Sequence, residues 1–140
     1  MADEAAIVEL LGQPKGCPIR YTVANTGAIP KGSIMQISGD RTITKADTDG
    51  QFFAGIAVAD KVTNDGSVTL GVWTKGIFDL RTEVGSPAIV EGERVKISGA
   101  NLIVLADDDS IANAQEVVGV ALQPASSATP TTIAVAIGIY

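Results

Sequence analysis

The chain has 140 residues, of which 46% are hydrophobic and only 4% aromatic, and its formal net charge is −6. This length allows a buried core, and the hydrophobicity is too high for a disordered protein. The negative charge disfavours nucleic acids and anionic membranes as partners, because both are themselves negatively charged. Most of the apolar side chains are Ala, Val and Ile, which favours a β fold.

Residues 1–16 are predicted to form an N-terminal arm. The segment is punctuated by glycine and proline at its end, and it begins with acidic residues rather than the basic ones of a signal peptide. Its large apolar residues are Ile7, Val8, Leu10 and Leu11. They form either one face of a short helix, which is marginal by itself, or an extended segment that lies on a partner.

Residues 17–140 are predicted to form a single, compact, all-β domain of short strands separated by turns. The predicted strands, in chain order, are 18–24, 33–38, 41–46, 52–60, 67–73, 74–81, 93–98, 101–106, 116–123 and 131–140. Segment 52–60 is apolar on both faces, which indicates a central strand. The Asn-Asp-Gly run at 64–66 indicates a hairpin turn. The last strand has only Ala and Gly on one face, so we expect close packing there.

One stretch of the chain occurs twice. AIPKGSIMQISG at 28–39 returns as AIVEGERVKISG at 88–99, and AGIAVAD at 54–60 aligns with 118–124 after four extra residues. The repeat predicts two copies of one β unit, about 28–80 and 88–140, that form a pseudo-symmetric barrel or sandwich. The alternative is chance similarity between β sequences that are rich in glycine.

The residues needed for catalysis are scarce. The chain has no histidine and a single cysteine, Cys17, which excludes His-based catalysis, common zinc sites and an intrachain disulfide. Asp107, Asp108 and Asp109 lack the spacing of a calcium loop, so a solvated turn is favoured. An Asp47–Asp109 pair would suit a glycosidase, but the aromatic residues of a sugar site are few. The sequence predicts a non-enzymatic protein without catalytic residues, cofactor or metal.

The run DGQFFAGIAVADKVTNDGSVTLGVWTKGIFDL, residues 49–80, resembles the signature of the phage capsid cement, or head-decoration, family. Its FAGI-like strand, DK-V…DG hairpin and TKGIFDL-like strand occur in the order typical of that family. Weaker matches extend the resemblance over nearly the whole chain; they are MADEA at the start, 22–24, Lys31-Gly32, Arg41-Thr42, 98–101 and 118–122.

The resemblance implies a β-tulip or small-barrel domain with a structural role. Similar proteins bind as homotrimers to the outer surface of icosahedral heads, where they stabilise contacts between major capsid protein subunits against the pressure of packaged DNA. We expect synthesis in the host cytoplasm, a final location on the virion, and neither nucleic acid nor membrane as a partner. No segment is long enough to span a membrane.

On this interpretation, two sets of residues are candidates for contacts. The capsid-binding residues of the arm are Ile7, Val8, Leu10 and Leu11. The trimer interface comprises Trp73, Phe78, Ile133, Val135, Ile137 and Ile139. The alternative function is that of a tail, fibre or host-surface module that binds glycans or a protein, for which a groove with exposed aromatic residues is expected.

Overall fold

The fold is built from short β-strands. The computed structural model describes residues 4–9, 18–47, 51–83, 87–106, 116–127 and 129–138. In chain order the strands are β1 (Ala6–Glu9), β2 (Ile19–Thr22), β3 (Ile34–Gly39), β4 (Thr42–Lys45), β5 (Phe53–Ala57), β6 (Thr69–Trp73), β7 (Gly76–Thr82), β8 (Arg94–Gly99), β9 (Leu102–Leu105), β10 (Val117–Ala121) and β11 (Thr132–Ile137). These described ranges contain no α-helix, and the predicted all-β class is confirmed.

Strands β2 to β6 form the first barrel, a closed sheet in the order β2-β4-β3-β5-β6. Its neighbouring strands are antiparallel except for β2 and β4, which run parallel and meet at Thr22 and Thr42. The sheet closes where β6 lies antiparallel to β2, with Ile19 opposite Val72. Closure pairs the strands that would otherwise form the edges of the sheet.

Strands β7 to β11 form the second barrel, in the order β7-β11-β10-β8-β9. It closes where β7 and β9 run parallel, with Arg81 opposite Leu102. This parallel pair corresponds to β2 and β4 of the first barrel. The start of β7 also pairs antiparallel with β1, where Ile7 lies opposite Phe78. The predicted small-barrel architecture is therefore confirmed, and it occurs twice in the chain.

The two barrels repeat one set of backbone contacts. In the first and second barrel respectively, the matched contacts are Ile37 opposite Ile43 and Ile97 opposite Ile103, and the bridges Ile29 to Lys61 and Ile89 to Ala125. The doubled sequence motif therefore specifies one barrel twice. Strand β7, which the sequence analysis grouped with the first copy, is hydrogen-bonded into the second. There it takes the position that β2 has in the first barrel.

Glycine is required at the shared turn of the motif. Gly32 has φ +88° and Gly92 has φ +98°, a left-handed conformation that disfavours residues with a β-carbon. Gly32 donates its N–H to the Ala57 carbonyl at 2.9 Å, and Gly92 donates to the Ala121 carbonyl at 2.7 Å. In the first barrel this turn is thus hydrogen-bonded to the end of β5, and in the second barrel to the end of β10.

The hydrophobic side chains form two cores. The first core lies in the first barrel and comprises Val23, Ile29, Met35, Ile43, Ala54, Ala57, Leu70 and Val72. The second core fills the second barrel and also includes Ile34, Ala46 and Ile56 of the first. Strand β5 therefore contributes Ile56 to the second core and the next residue, Ala57, to the first. This placement explains why the segment is apolar on both faces, as expected for a central strand.

Four residues assigned from the sequence to a trimer interface lie in the second core instead. They are Phe78, Ile133, Val135 and Ile137, and all are fully buried within one chain. Their side chains have no surface left for a second subunit, so their assignment is corrected from interface to core. The sequence did not distinguish the two, because alternating large apolar residues suit a strand that faces either one.

The Ala and Gly face of β11 is unevenly exposed, since Ala136 is buried, Ala134 is half-buried and Gly138 is exposed. Gly119 of β10 lies against the backbone of Ala136, so closely that a β-carbon at position 119 would overlap the Ala136 carbonyl oxygen. This close approach is between two hydrogen-bonded strands of one sheet, so it requires glycine at position 119 and does not involve packing on the Ala and Gly face.

Candidate functional site

Hydrogen bonds join the N-terminal segment to both barrels. The Ala5 N–H donates to the Gly32 carbonyl at 2.7 Å, directly before β1 pairs with β7. A β-carbon at position 32 would overlap the Ala5 carbonyl oxygen. Glycine therefore allows the arm to lie on this turn, and Ala5 packs against the second core.

Asn101 connects the arm to the turns of both barrels. It has φ +60° in the turn between β8 and β9, a conformation that asparagine tolerates better than most residues. Its Oδ1 accepts the Ile34 N–H at 2.9 Å, and its Nδ2 donates to Glu4 Oε2 at 3.1 Å. One side chain thereby holds the arm, the first barrel and the second barrel together.

A cleft lies beside this junction. It has a volume of about 490 Å³ and is lined mainly by backbone and apolar atoms of the segment 27–30 and of Ile43 to Asp47, with Ala100, Asn101 and Glu4 at the side of the second barrel. A second, more open cleft shares Glu4 and residues 28–30 with the first and extends to Lys31 and residues 60–63. The arm thus borders both depressions.

A buried lysine secures the loop that follows β5. Lys61 is only 4% exposed, and its ammonium donates to the carbonyls of Asn25 and Val62 and to Asp65 Oδ1. These partners offset the cost of burying its charge. The predicted turn at 64–66 lies in this loop, with φ positive at Asn64 and Gly66. Lys61 therefore has a structural role.

The Asp65 carboxylate is the ionisable group most affected by this loop. It accepts the Ser67 N–H at 2.8 Å and the Val62 N–H at 3.2 Å. The Ser67 hydrogen bond is the main cause that lowers the pKa of Asp65 below its ordinary value. Desolvation opposes it, and the contacts with Val62 and Lys61 add to the lowering. The charged form of Asp65 is therefore favoured in the folded protein.

Exposed apolar side chains are concentrated in the first barrel. Of the described residues, the large hydrophobic ones that are exposed are Ile7, Ile19, Ile37, Phe52, Val62, Val68, Val90 and Leu122. Five of the eight lie between Ile19 and Val68. The described residues within 19–73 include five basic and four acidic side chains, whereas those within 76–137 include three basic and five acidic ones. Two barrels of one topology thus have different surfaces.

The residues predicted for contacts are distributed over three environments. Ile7 is exposed on β1 and Trp73 is partly buried, with its ring centroid 5.8 Å from that of Phe78 and 6.0 Å from Lys31 Nζ. Val8 belongs to β1, and Leu10, Leu11 and Ile139 lie outside the described residues. Of the described members of the two sets, Ile7 and Trp73 keep exposed surface, whereas Phe78, Ile133, Val135 and Ile137 are buried.

The chemical candidates of the sequence are mostly outside the described ranges. Cys17 and Asp107 to Asp109 are not among the described residues, so the Asp47–Asp109 pair has no geometry to report. Within those ranges no group of three or more Cys, Asp or Glu residues is placed to hold a metal ion. The same part of the chain has no helix long and apolar enough to cross a membrane.

The sequence analysis missed Asn101, Glu4 and Lys61 as structural connectors. A signal for Asn101 was present, since it aligns with Arg41 in the repeat, and both have positive φ. The turn after the repeated Ser-Gly requires positive φ at this position in both barrels, and asparagine adopts positive φ more readily than arginine. No comparable signal marked Glu4, whose partner Asn101 is 97 positions away, or Lys61, whose contact with the Asn25 carbonyl spans 36 positions.

The fold and these contacts define a class: a structural β protein whose features serve to hold its arm and barrels together. A model of the family described as phage cement protein matches residues 13–137. The chain therefore belongs to the phage cement protein family, a family of structural proteins associated with the phage capsid. No curated protein matches the sequence.

Proposed function

We propose that the protein binds the outer surface of an icosahedral phage head as a homotrimer and joins neighbouring major capsid protein subunits. It thereby resists the outward pressure of packaged DNA. The observation that carries this proposal is the family match over residues 13–137. The free protein accumulates in the host cytoplasm before attachment, where its net negative charge keeps it soluble. Its barrels are of the β-tulip type.

The N-terminal arm is the proposed capsid-binding element. Among the described residues, β1 is paired only with β7, along one edge. Its other edge is available for an added strand, which is a common way of binding an extended segment. Ile7 on this strand is 40% exposed. Its neighbours Val8, Leu10 and Leu11 complete the proposed contact set.

Trimer formation would multiply the contribution of each arm. Three weak arm contacts on one rigid particle bind far more tightly than one, because the second and third contacts are intramolecular. Of the residues predicted for the interface between subunits, Trp73 keeps part of its surface exposed. We propose that Trp73, together with Ile139, contributes to this interface.

The proposal is tested by adding purified protein to undecorated heads and measuring the bound fraction by sedimentation. Ile7→Ser is the test variant, and Ile19→Ser is its matched control, because Ile19 has the same residue type and is 41% exposed in the first barrel. We expect Ile7→Ser to lower head occupancy about ten-fold and Ile19→Ser to leave it nearly unchanged. Native mass spectrometry of the free protein should show a trimer.

Wild-type protein that does not sediment with the heads would refute the capsid-binding function. Normal occupancy of Ile7→Ser would instead refute the role of the arm alone. Both variants should keep the urea midpoint of the wild type within a small margin, because exposed side chains contribute little to stability. Heating decorated and bare heads then shows whether attachment delays the release of DNA.

A further inference from the structure

The turn at residues 90–93 repeats the turn that carries the arm. In the first barrel the Ser33 N–H donates to the Pro30 carbonyl at 3.1 Å, and in the second the Glu93 N–H donates to the Val90 carbonyl at 3.1 Å. Gly32 and Gly92 occupy the same left-handed position of the two turns. The backbone that receives the arm in one barrel is therefore present in the other.

The two turns differ in what covers them. Gly32 is covered by Glu4 and Ala5, whereas an added β-carbon at Gly92 would meet no atom of the described residues within 4 Å. Val90, in this turn, is 54% exposed, and Leu122 is also exposed, directly after the residue whose carbonyl accepts the Gly92 N–H. Within the described part of the second barrel, these are the two exposed large hydrophobic residues. Both adjoin the open turn.

The two turns also differ in the charge of the side chains beside them. The first turn carries Lys31, which borders the same cleft as the acidic Glu4 of the arm. The second turn has Glu91 at the position of Lys31, followed by Glu93, whose Oε2 accepts the Val90 N–H at 2.7 Å. A segment with an acidic residue at the position of Glu4 would be repelled there, and a basic one attracted.

We propose that the turn at 90–93 is a second docking site, which takes an extended basic segment of the shell protein. A backbone N–H of that segment donates to the Gly92 carbonyl, as Ala5 does to Gly32. An apolar side chain lies on Val90 and Leu122, and a Lys or Arg side chain lies beside Glu91. This inference rests on the proposed attachment to the head and adds a contact that is separate from the arm.

Val90→Ser tests the apolar part of the site, and Val68→Ser is its matched control, because Val68 is 52% exposed in the first barrel. We expect Val90→Ser to weaken binding to undecorated heads about five-fold and Val68→Ser to leave it unchanged. Equal binding of the two variants would overturn the inference while leaving the proposed function intact. Failure of the wild type to bind would overturn both.

The charge preference is tested with two synthetic peptides. One has the sequence of residues 2–9, ADEAAIVE, and the other carries lysine in place of Glu4. We expect the lysine peptide to shift the Gly92 amide resonance of the full-length protein saturably, with an affinity at least about five-fold above that of the parent peptide. Glu91→Lys in the protein should reverse this order.

Equal or tighter binding of the parent peptide would identify the arm of a second copy as the occupant and overturn the proposal. Absence of a shift at Gly92 with either peptide would overturn the docking geometry. Glu91 is exposed, and its replacement leaves the hydrogen bond between the Val90 N–H and Glu93 Oε2 in place. We therefore expect the turn to keep its conformation in Glu91→Lys. The urea midpoint of each variant verifies that the fold is retained.

Discussion

Ile37 and Ile97 occupy the same position in the two barrels, and truncating each one to alanine separates the effect of sequence from that of environment. They lie opposite Ile43 and Ile103 in identical strand pairs. Yet Ile97 is 0% exposed and Ile37 is 41% exposed. Residue type, strand and cross-strand partner are thus matched, and burial differs.

The expected losses follow from the apolar surface that each truncation removes. Replacing Ile by Ala deletes carbon groups worth about 0.8 kcal/mol each when buried, or roughly 2.4 kcal/mol in total at a fully buried site. A cavity adds to this loss at Ile97, so we expect about 3 to 4 kcal/mol there. At Ile37 about three fifths of the residue is buried, which scales the transfer loss to roughly 1.4 kcal/mol. Solvent fills the remaining space at Ile37, so no cavity is left.

Urea unfolding of wild type, Ile37→Ala and Ile97→Ala measures these losses in free energy of unfolding. The slope of free energy against urea should be equal for all three proteins if only stability changes. A loss at Ile37 as large as that at Ile97 would refute the reasoning. It would mean that the end of the first barrel is covered in solution, for example by association between copies, which a dependence of the midpoint on protein concentration would reveal.

Two further predictions concern the turns and the loop. Gly32→Ala and Gly92→Ala each place a β-carbon in the left-handed region, which lowers the free energy of unfolding by about 1 kcal/mol. Gly32→Ala also displaces Ala5, so we expect it to lose about 1–2 kcal/mol more. Equal urea midpoints for the two variants would contradict the arm contact. Asp65→Asn should lower the thermal midpoint at neutral pH. Because the pKa of Asp65 is lowered on folding, its contribution is present above the ordinary value of 3.8 and disappears as the pH falls through the folded value. A midpoint difference that persists at the acidic end would exclude this origin.

The candidate contacts were only partly predictable from the sequence. The open edge of β1 and the exposure of Ile7 agree with an arm that binds a partner. Four of the six residues predicted for the interface, Phe78 and three residues of β11, pack inside the second barrel. Nothing in a strand's own pattern distinguishes a core from an interface, because both require apolar side chains at alternate positions. The contacts of Asn101 depend on residues 67 and 97 positions away, which no local pattern encodes.

The sequence by itself determined the all-β class, the turn glycines and the existence of two copies of one unit. These features are local, since strand periodicity, positive φ and tight turns depend on residues close to one another in the chain. The tertiary structure decided that each copy closes into its own barrel, that β7 belongs to the second, and that the arm covers Gly32, whereas no described residue covers Gly92. Those outcomes depend on which surfaces meet in space. Residues with the same place in the repeat, such as Ile37 and Ile97, can therefore differ completely in burial.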